Sequence, residues 1–199
     1  MKYFYALFSF VLTLSALASP GDTLKVEAHD AVDMTWYQAY KSMAYFPTTG
    51  KSFHRVNMNF TLGCASTGCS DWDYTVLIRL LRPTSVRDSI VASIDTISTS
   101  PLVIDTIWNM LEVKEHIELG RMITPYGGYM RQNSNGYNSS WTHELVWDVT
   151  DYQMLLQDSV EFEIFYQGWS SGFSATLNFD LIEGIPARKV LDISNIYKH

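Results

Sequence analysis

The sequence is poor in cysteine, in cationic charge and in long apolar runs, and each shortage excludes a class of protein. Its 199 residues contain two cysteines, Cys64 and Cys69, which are too few for a small disulfide-dense scaffold. Lysine and arginine number 14 against 21 acidic residues, so the net charge of −7 offers no basic surface for nucleic acid. The apolar run from Phe4 to Leu17 is too short to cross a bilayer comfortably, so we expect no membrane span.

Metal ligands are also scarce. The five histidines show no ligand spacing, and two cysteines alone would leave a zinc ion short of ligands. The sequence therefore predicts no metal and no cofactor. Aromatic residues, in contrast, make up 14% of the chain, a density typical of β-rich cores and of surfaces that stack on sugar rings. Of these two uses, packing in a core is the more frequent.

The N-terminus has the pattern of a signal peptide. Lys2 gives a positive start, an apolar stretch follows, and Ala-Leu-Ala at 16–18 fits the small-x-small cleavage pattern. We therefore assign residues 1–18 to a signal peptide and expect a secreted or periplasmic protein. In an oxidising compartment the close pair Cys64 and Cys69 favours a disulfide over a metal or redox site.

Alternation of apolar and polar residues predicts most of the β-strands. The strands predicted from this and from shorter apolar runs are residues 55–62, 74–81, 118–126, 142–149, 160–166 and 173–182. Residues 104–116 fit either a helix or a strand, and Pro101 with its β-branched neighbours favours paired strands joined by a turn.

Few segments have helical character. Residues 150–156 predict one or two helical turns, and 32–45 gives a weak signal for a short helix within a segment, 19–50, that is otherwise predicted to be irregular. Many short strands with little helix indicate one all-β domain over 51–199, an antiparallel β-sandwich or jelly roll. The tail after Pro186 is expected to add one edge strand.

The stretch from Cys64 to Tyr74 concentrates two cysteines, two carboxylates and two aromatic rings directly ahead of an apolar strand. A loop closed at its base can hold Asp71, Trp72 and Asp73 rigidly at a sheet edge, which is one way to build a site. Two interpretations of Asp73 stay open: a catalytic or sugar-binding carboxylate, or a loop aspartate that accepts backbone N–H bonds.

Four motifs occur in an order that resembles the N-terminal domain of the bacterial peptide-N-glycosidase F family. They are Cys-x4-Cys-x-Asp-Trp-Asp (64–73), Glu-Leu-Gly-Arg-Met-Ile-Thr-Pro-Tyr (118–126), Trp-Asp-Val-Thr-Asp-Tyr (147–152) and Tyr-Gln-Gly-Trp (166–169). The resemblance extends from about residue 55 to residue 186, most of the chain beyond the signal peptide.

The family enzyme hydrolyses the amide between an Asn side chain and the first N-acetylglucosamine of an N-linked glycan, at a site between two adjacent jelly-roll domains. The resemblance implies an antiparallel jelly roll with a loop disulfide between Cys64 and Cys69. It also implies a catalytic role for Asp73 and sugar contacts by Trp72 and Trp169. The implied partners are an N-linked glycan or glycoprotein substrate and a second jelly-roll domain or chain.

The chain departs from the family pattern at several positions. Gln167 stands where the family has a glutamate, and Tyr74 stands where it has an arginine. The second domain, which carries another catalytic glutamate in the family, has no counterpart in these 199 residues. The span 81–114 is longer than the equivalent connection of the family.

Two functions are compatible with these features. The first is an N-glycan-releasing amidase domain that needs a second domain, with Asp73 as its key carboxylate and Trp72, Gln167 and Trp169 around the sugar. The second is a non-catalytic carbohydrate-binding or surface-interaction module, because Gln167 can hydrogen-bond a sugar but cannot exchange a proton.

Overall fold

The computed structural model of the chain describes residues 21–48, 50–126 and 141–195. Within these residues β-strand is by far the commonest regular structure. The strands are β1 (Thr23–Met34), β2 (Gln38–Tyr45), β3 (Phe53–Cys64), β4 (Thr75–Thr99), β5 (Leu102–Ile123), β6 (Thr142–Asp148), β7 (Ser159–Tyr166) and β8 (Phe173–Glu183), with a 3₁₀ helix at Thr150–Leu155. The predicted signal peptide, 1–18, lies outside the described residues. No helix in the described part is long and apolar enough to cross a membrane.

The strands form two four-stranded antiparallel sheets. Sheet A has the order β1-β8-β3-β6, and sheet B has the order β2-β7-β4-β5. Strand β1 pairs with β8, β2 with β7, β3 with β6 and β4 with β5. This nested pairing is that of an antiparallel ribbon wrapped into a double-sheet jelly roll. The all-β, single-domain jelly-roll prediction is therefore confirmed.

The core lies between the inner faces of the two sheets. The side chains that fill it with at most 2% exposure include Val56, Met58, Phe60, Leu62, Val76, Ile78, Leu80, Phe162, Ile164, Tyr166, Phe173, Ala175, Leu177, Phe179 and Leu181. They recur at every second position, because successive side chains of a strand point to opposite faces of the sheet. Each large apolar side chain buried here contributes roughly 1.5–3 kcal/mol to folding.

The strongly alternating segments form strands where the sequence predicts them. The predicted strands 55–62 and 173–182 lie within β3 and β8, which pair side by side in the centre of sheet A. The ambiguous segment 104–116 is strand, paired antiparallel to β4 across a turn at residues 100–101. The helical prediction for 150–156 corresponds to the 3₁₀ helix.

The N-terminal prediction is wrong. Residues 19–50 were expected to be irregular with a weak helix at 32–45, yet they supply β1 and β2, one edge strand for each sheet. Register shifts between Glu27 and Val32, with Ala31 at φ 43°, interrupt the alternation of β1 and hide it from a pattern search. Strand β2 is mostly exposed and polar on an edge, so pairing with β7 fixes its conformation more than its own sequence does.

The C-terminal tail does not form the predicted edge strand within the described residues. After β8 the tail lies against the β4–β5 pair. The hydrogen bonds between them join a side chain to a backbone carbonyl, whereas a paired strand would form backbone-to-backbone hydrogen bonds. Arg82 Nη1 donates to the carbonyl of Ile193 at 3.0 Å, and Asn195 Nδ2 donates to the carbonyl of His116 at 3.0 Å.

The two ends of the sandwich differ. The strand ends that are joined by the connections β1–β2, β3–β4, β5–β6 and β7–β8 lie at one end, which we call the loop end. At the opposite end β4 pairs with β7 only as far as Leu81, but its pairing with β5 continues to the Thr99–Leu102 pair. Residues 84–113 therefore form a two-stranded projection, which we call the arm.

Candidate functional site at the loop end

The disulfide-closed loop is confirmed. Cys64 and Cys69 are bonded, with an S–S distance of 1.98 Å and Cα atoms 4.4 Å apart. The backbone N–H groups of Ala65 and Ser70 both donate to the carbonyl of Gly172 on the β7–β8 connection, at 3.2 and 3.0 Å. Gly172 has φ +125°, and a Cβ on it would lie 2.4 Å from the Ser70 nitrogen. The loop therefore needs glycine at this position to approach so closely.

Thr124 fixes the other side of this loop. Its hydroxyl accepts a hydrogen bond from Tyr74 N at 2.7 Å and donates to the Trp72 carbonyl at 2.8 Å. Its own backbone N–H donates to the Tyr74 carbonyl at 2.7 Å. Thr124 is 1% exposed, so these bonds are protected from water. The backbone on either side of Asp73 is held by one buried side chain.

Asp73 is exposed between two aromatic residues that point in different directions. The Tyr74 ring packs edge-on against the buried Tyr166 ring, with centroids 5.6 Å apart. The Trp72 ring is half exposed and contacts the Tyr126 ring edge-on, also at 5.6 Å. Within the part of the chain that the structure describes, no hydrogen bond or ion pair is made by the Asp73 carboxylate. This acid is presented to solvent on a rigid backbone.

A second aromatic group lies on the β7–β8 connection. The Trp169 ring is stacked on the Tyr37 ring, with centroids 5.3 Å apart and 24° between the planes. The Tyr37 ring packs edge-on against the Phe165 ring, with centroids 5.3 Å apart. Gln167 Nε2 donates a hydrogen bond to the Tyr37 hydroxyl at 3.4 Å. Trp169 is 65% exposed, which agrees with placement at a rim. We call the Tyr37–Trp169 stack the aromatic platform.

Tyr37 was not found by sequence reasoning. Trp36 and Tyr37 have φ values of 41° and 47°, a left-handed conformation that bulky residues rarely adopt and that costs about 1–3 kcal/mol each. A hydrogen bond from Tyr37 N to the Gly168 carbonyl at 2.6 Å holds the turn against the β7–β8 connection. No glycine, asparagine or aspartate marks this turn, so the sequence contains no local signal for it.

Asp73 and Trp169 of the aromatic platform lie on the segments that flank the same end of the β4–β7 strand pair. Val76 pairs with Tyr166, and Gln167 N donates to the Thr75 carbonyl at 2.9 Å, which extends that pairing by one residue. Asp73 lies two residues before Thr75, and Trp169 lies two residues after Gln167.

The structure brings together some of the predicted site residues but not all of them. It holds Gln167 beside the Trp169 platform, and it places Trp72 and Asp73 on the neighbouring loop. Among the described residues no hydrogen bond or ring contact joins Asp73 to Gln167 or to Trp169. Ser70 and Ser170, whose hydroxyl oxygens are 3.1 Å apart, connect the two loops instead.

Two ionisable side chains beneath the loop end, Tyr166 and Asp33, support its loops through hydrogen bonds. Burial raises the pKa of Tyr166 to about 12, and its hydroxyl donates to the Ser170 carbonyl at 3.0 Å, so Tyr166 supports the loop and is not a proton donor near neutral pH. Asp33 accepts a hydrogen bond from Ser66 N at 3.1 Å and anchors the disulfide loop to β1. The described residues contain no group of three or more histidine, cysteine or carboxylate side chains arranged to hold a metal.

The topology and these residues define a class: an eight-stranded jelly roll whose loop end carries a disulfide-closed acidic loop beside exposed aromatic rings. Residues 43–181 match the family described as "Peptide-N-glycosidase F, N terminal". The chain belongs to this family.

Individual relatives are distant in sequence. The peptide-N(4)-(N-acetyl-beta-D-glucosaminyl)asparagine amidase F of Elizabethkingia miricola is 23% identical over 184 residues, which cover 89% of this chain and 42% of that protein. The solved structure of recombinant peptide:N-glycanase F is similar over 84% of this chain and 44% of its own, with a TM-score of 0.56 and 21% identity. That of PNGF-II is similar over 87% and 36%, with a TM-score of 0.50 and 13% identity. The structural likenesses show a shared fold, and the chain spans about two fifths of the length of these relatives.

Proposed function

We propose that this chain is the Asp73-bearing domain of an N-glycan-releasing amidase. Its substrate is the side-chain amide that joins asparagine to the first N-acetylglucosamine of an N-linked glycan. The observation that carries the proposal is the exposed Asp73 on a loop fixed by Thr124 and the disulfide, within a chain of this family. The disulfide and the apolar N-terminus support export from the cytoplasm as part of the same proposal.

The proposed chemistry is water addition to an amide. Asp73 accepts a proton from a water molecule while the oxygen of that water attacks the amide carbonyl carbon. The tetrahedral intermediate then loses the glycosylamine nitrogen. That nitrogen leaves with one added proton. The asparagine of the peptide becomes aspartate, and the glycan leaves as a glycosylamine. The leaving nitrogen needs a proton donor, and a carboxyl group with a raised pKa would supply that proton.

The partner acid is expected from a second domain. Gln167, beside the aromatic platform, has an amide and cannot donate a proton in this way, although it can hydrogen-bond a sugar hydroxyl. The chain spans 42% of its amidase relative, which leaves room in that protein for further catalytic groups. In this proposal Trp72, Gln167 and Trp169 bind the sugar next to Asp73, and the second domain or chain completes the active site.

A non-catalytic carbohydrate-binding module is the second candidate. The aromatic platform favours it, because exposed stacked rings with a neighbouring amide suit the apolar face and hydroxyl groups of a sugar. Both candidates share the sugar site at the loop end and differ only in bond cleavage.

Glycan release from a denatured glycoprotein separates the two candidates. We expect no release by the purified chain alone, and release when the C-terminal remainder of its amidase relative is supplied. Asp73→Asn should abolish that release, because the amide lacks the basic carboxylate. Asp105→Asn, an equal loss of charge on the distant arm, serves as the matched control and should leave release unchanged.

Other outcomes would redirect the proposal. Release by the isolated chain that Asp73→Asn abolishes would show that no second domain is needed. Glycan binding without release under either condition would favour the binding module, and absence of both binding and release would contradict both candidates.

A further inference from the structure

The arm is a two-stranded ribbon without a second layer. From the pair Arg87–Glu112 to the pair Thr99–Leu102 it extends roughly 35 Å beyond the sheets, at about 3.3 Å per residue. Isolated two-stranded ribbons are marginally stable in water and normally need a further strand layer or a helix against one face. A ribbon of this length is therefore expected to be covered in the functional protein.

Strand pairing assigns the side chains of the arm to two faces. Strand β5 has no bulge between Glu112 and Leu102, and the two extra residues of β4 lie at 92 and 97. The even-numbered residues of β5 from 102 to 110 and their partners on β4 point to one face of the arm. Between the Arg87–Glu112 pair and the tip of the arm, this face has no charged side chain. The large side chains of this apolar face are Val91, Ile94, Leu102, Ile104, Trp108 and Met110.

The opposite face of the arm is acidic. It carries Asp88, Asp95 and Asp105 among four apolar side chains, and Asp95 lies directly opposite Asp105. Two carboxylates that face each other across a strand pair repel and are best kept in water. This acidic face is therefore the solvent side of the ribbon, and the apolar face is the side that needs a partner.

From these two faces we infer that the arm is a homodimerisation element, in which the apolar faces of two copies pack against each other about a two-fold axis. The six large side chains of the apolar face are each 44% to 70% exposed. At on the order of 100 Å² of exposed area for each partly exposed large side chain, they offer roughly 600 Å² per copy. Complete burial of two such faces would remove about 1,200 Å², which is the lower limit for a specific interface of standard size.

Symmetry makes a second copy a fitting occupant, because a two-fold axis lets the same apolar face form both sides of the interface. The net charge of −7 opposes contact between the charged surfaces of two copies, so the uncharged face is where they can meet. The pairing leaves Asp88, Asp95 and Asp105 of both copies in water. The loop end lies at the other end of β4, so the dimer leaves both candidate sugar sites open.

Matched substitutions on the two faces test this inference. Ile104 on the apolar face and Ile107 on the acidic face belong to the same strand and are 54% and 48% exposed. By sedimentation velocity over a concentration series that reaches roughly 100 µM, where a dissociation constant in the micromolar range is detected, we expect the purified chain to be a dimer. Ile104→Asp should weaken the dimer by roughly 100-fold, because it buries two unpaired carboxylates per interface. Ile107→Asp should leave it unchanged.

Circular dichroism and the thermal transition show whether both variants keep the folded sandwich. Replacement of residues 86–111 by a short turn provides an arm-free chain, which should be a folded monomer. A monomeric parent chain would overturn the inference and assign the apolar face to another partner. Dimers that survive Ile104→Asp, or that dissociate equally in Ile107→Asp, would overturn it as well.

Discussion

Two buried polar side chains, His29 and Thr124, influence the molecule in different ways at the scale of single residues. His29 is 4% exposed in β1, between the sheets, and its Nε2 atom has no hydrogen-bond partner among the described residues. Burial lowers the pKa of His29 below 6.5, with a smaller opposing effect from a hydrogen bond to the Phe162 backbone. Glu27, Asp30 and Lys41 line the groove beside it.

His29 should make the fold sensitive to mild acid. The unfolded chain binds a proton at His29 near pH 6.5, whereas the folded chain keeps the ring neutral to lower pH, so protonation favours unfolding. We expect the free energy of unfolding by urea to be fully present above about pH 6.5 and to fall as the pH is lowered below it.

Glutamine variants isolate this effect. His29→Gln should remove the part of the pH dependence that begins below about pH 6.5, and the exposed His143→Gln should retain it. If urea unfolding of His29→Gln kept the same pH dependence as the parent chain, another group would be responsible.

Thr124 should matter for stability because its hydroxyl serves two backbone groups. Thr124→Val keeps the shape of the side chain but leaves Tyr74 N without its acceptor, which costs roughly 1–3 kcal/mol. Urea denaturation should show this loss, whereas Thr124→Ser should retain most of the stability and the exposed Thr142→Val should stay within about 0.5 kcal/mol of the parent. Equal stabilities of Thr124→Val and the parent chain would contradict the account of the loop.

At the scale of elements, the central strands and the edge strands β5 and β6 could be predicted from sequence, whereas the edge strands β1 and β2 could not. Strands β3 and β8 alternate apolar and polar residues because one face of each is buried in the core. Strand β1 contains register shifts, and β2 is mostly exposed, so the conformation of both depends on partners far away in the sequence.

The loop end was predictable only in part, for a similar reason. The order of motifs along the chain identified the disulfide loop, with Trp72 and Asp73, and the turn that carries Gln167 and Trp169. The sequence gives no indication of Tyr37, whose left-handed conformation depends on a hydrogen bond to the β7–β8 connection. Local patterns do not reveal contacts between loops that are distant in sequence.

The arm shows what register adds to sequence. The resemblance predicts that the span 81–114 is longer than the family connection, but an alternating sequence with two bulges does not show which apolar residues share a face. The pairing of β4 with β5 separates Ile104 from Ile107 and thereby defines an apolar and an acidic face. Strand register, rather than composition, therefore defines the surface on which two copies can pack.

At the scale of the whole molecule, the jelly roll separates two surfaces. The loop end carries Asp73 and the aromatic platform, and the arm projects from the opposite end of β4. Association through the arm and sugar binding at the loop end should therefore be independent. Variants at one end serve as controls for measurements at the other.

The central claim is that the loop end binds the sugar of an N-linked glycan. The most direct test is isothermal titration of the chain with a glycopeptide that carries asparagine-linked chitobiose. We expect binding that Trp169→Ala weakens by about tenfold, or 1.4 kcal/mol, because the stacked ring is lost. Trp108→Ala on the arm, also exposed, should bind as the parent chain does. No measurable binding, or equal affinity of Trp169→Ala and the parent, would contradict the claim.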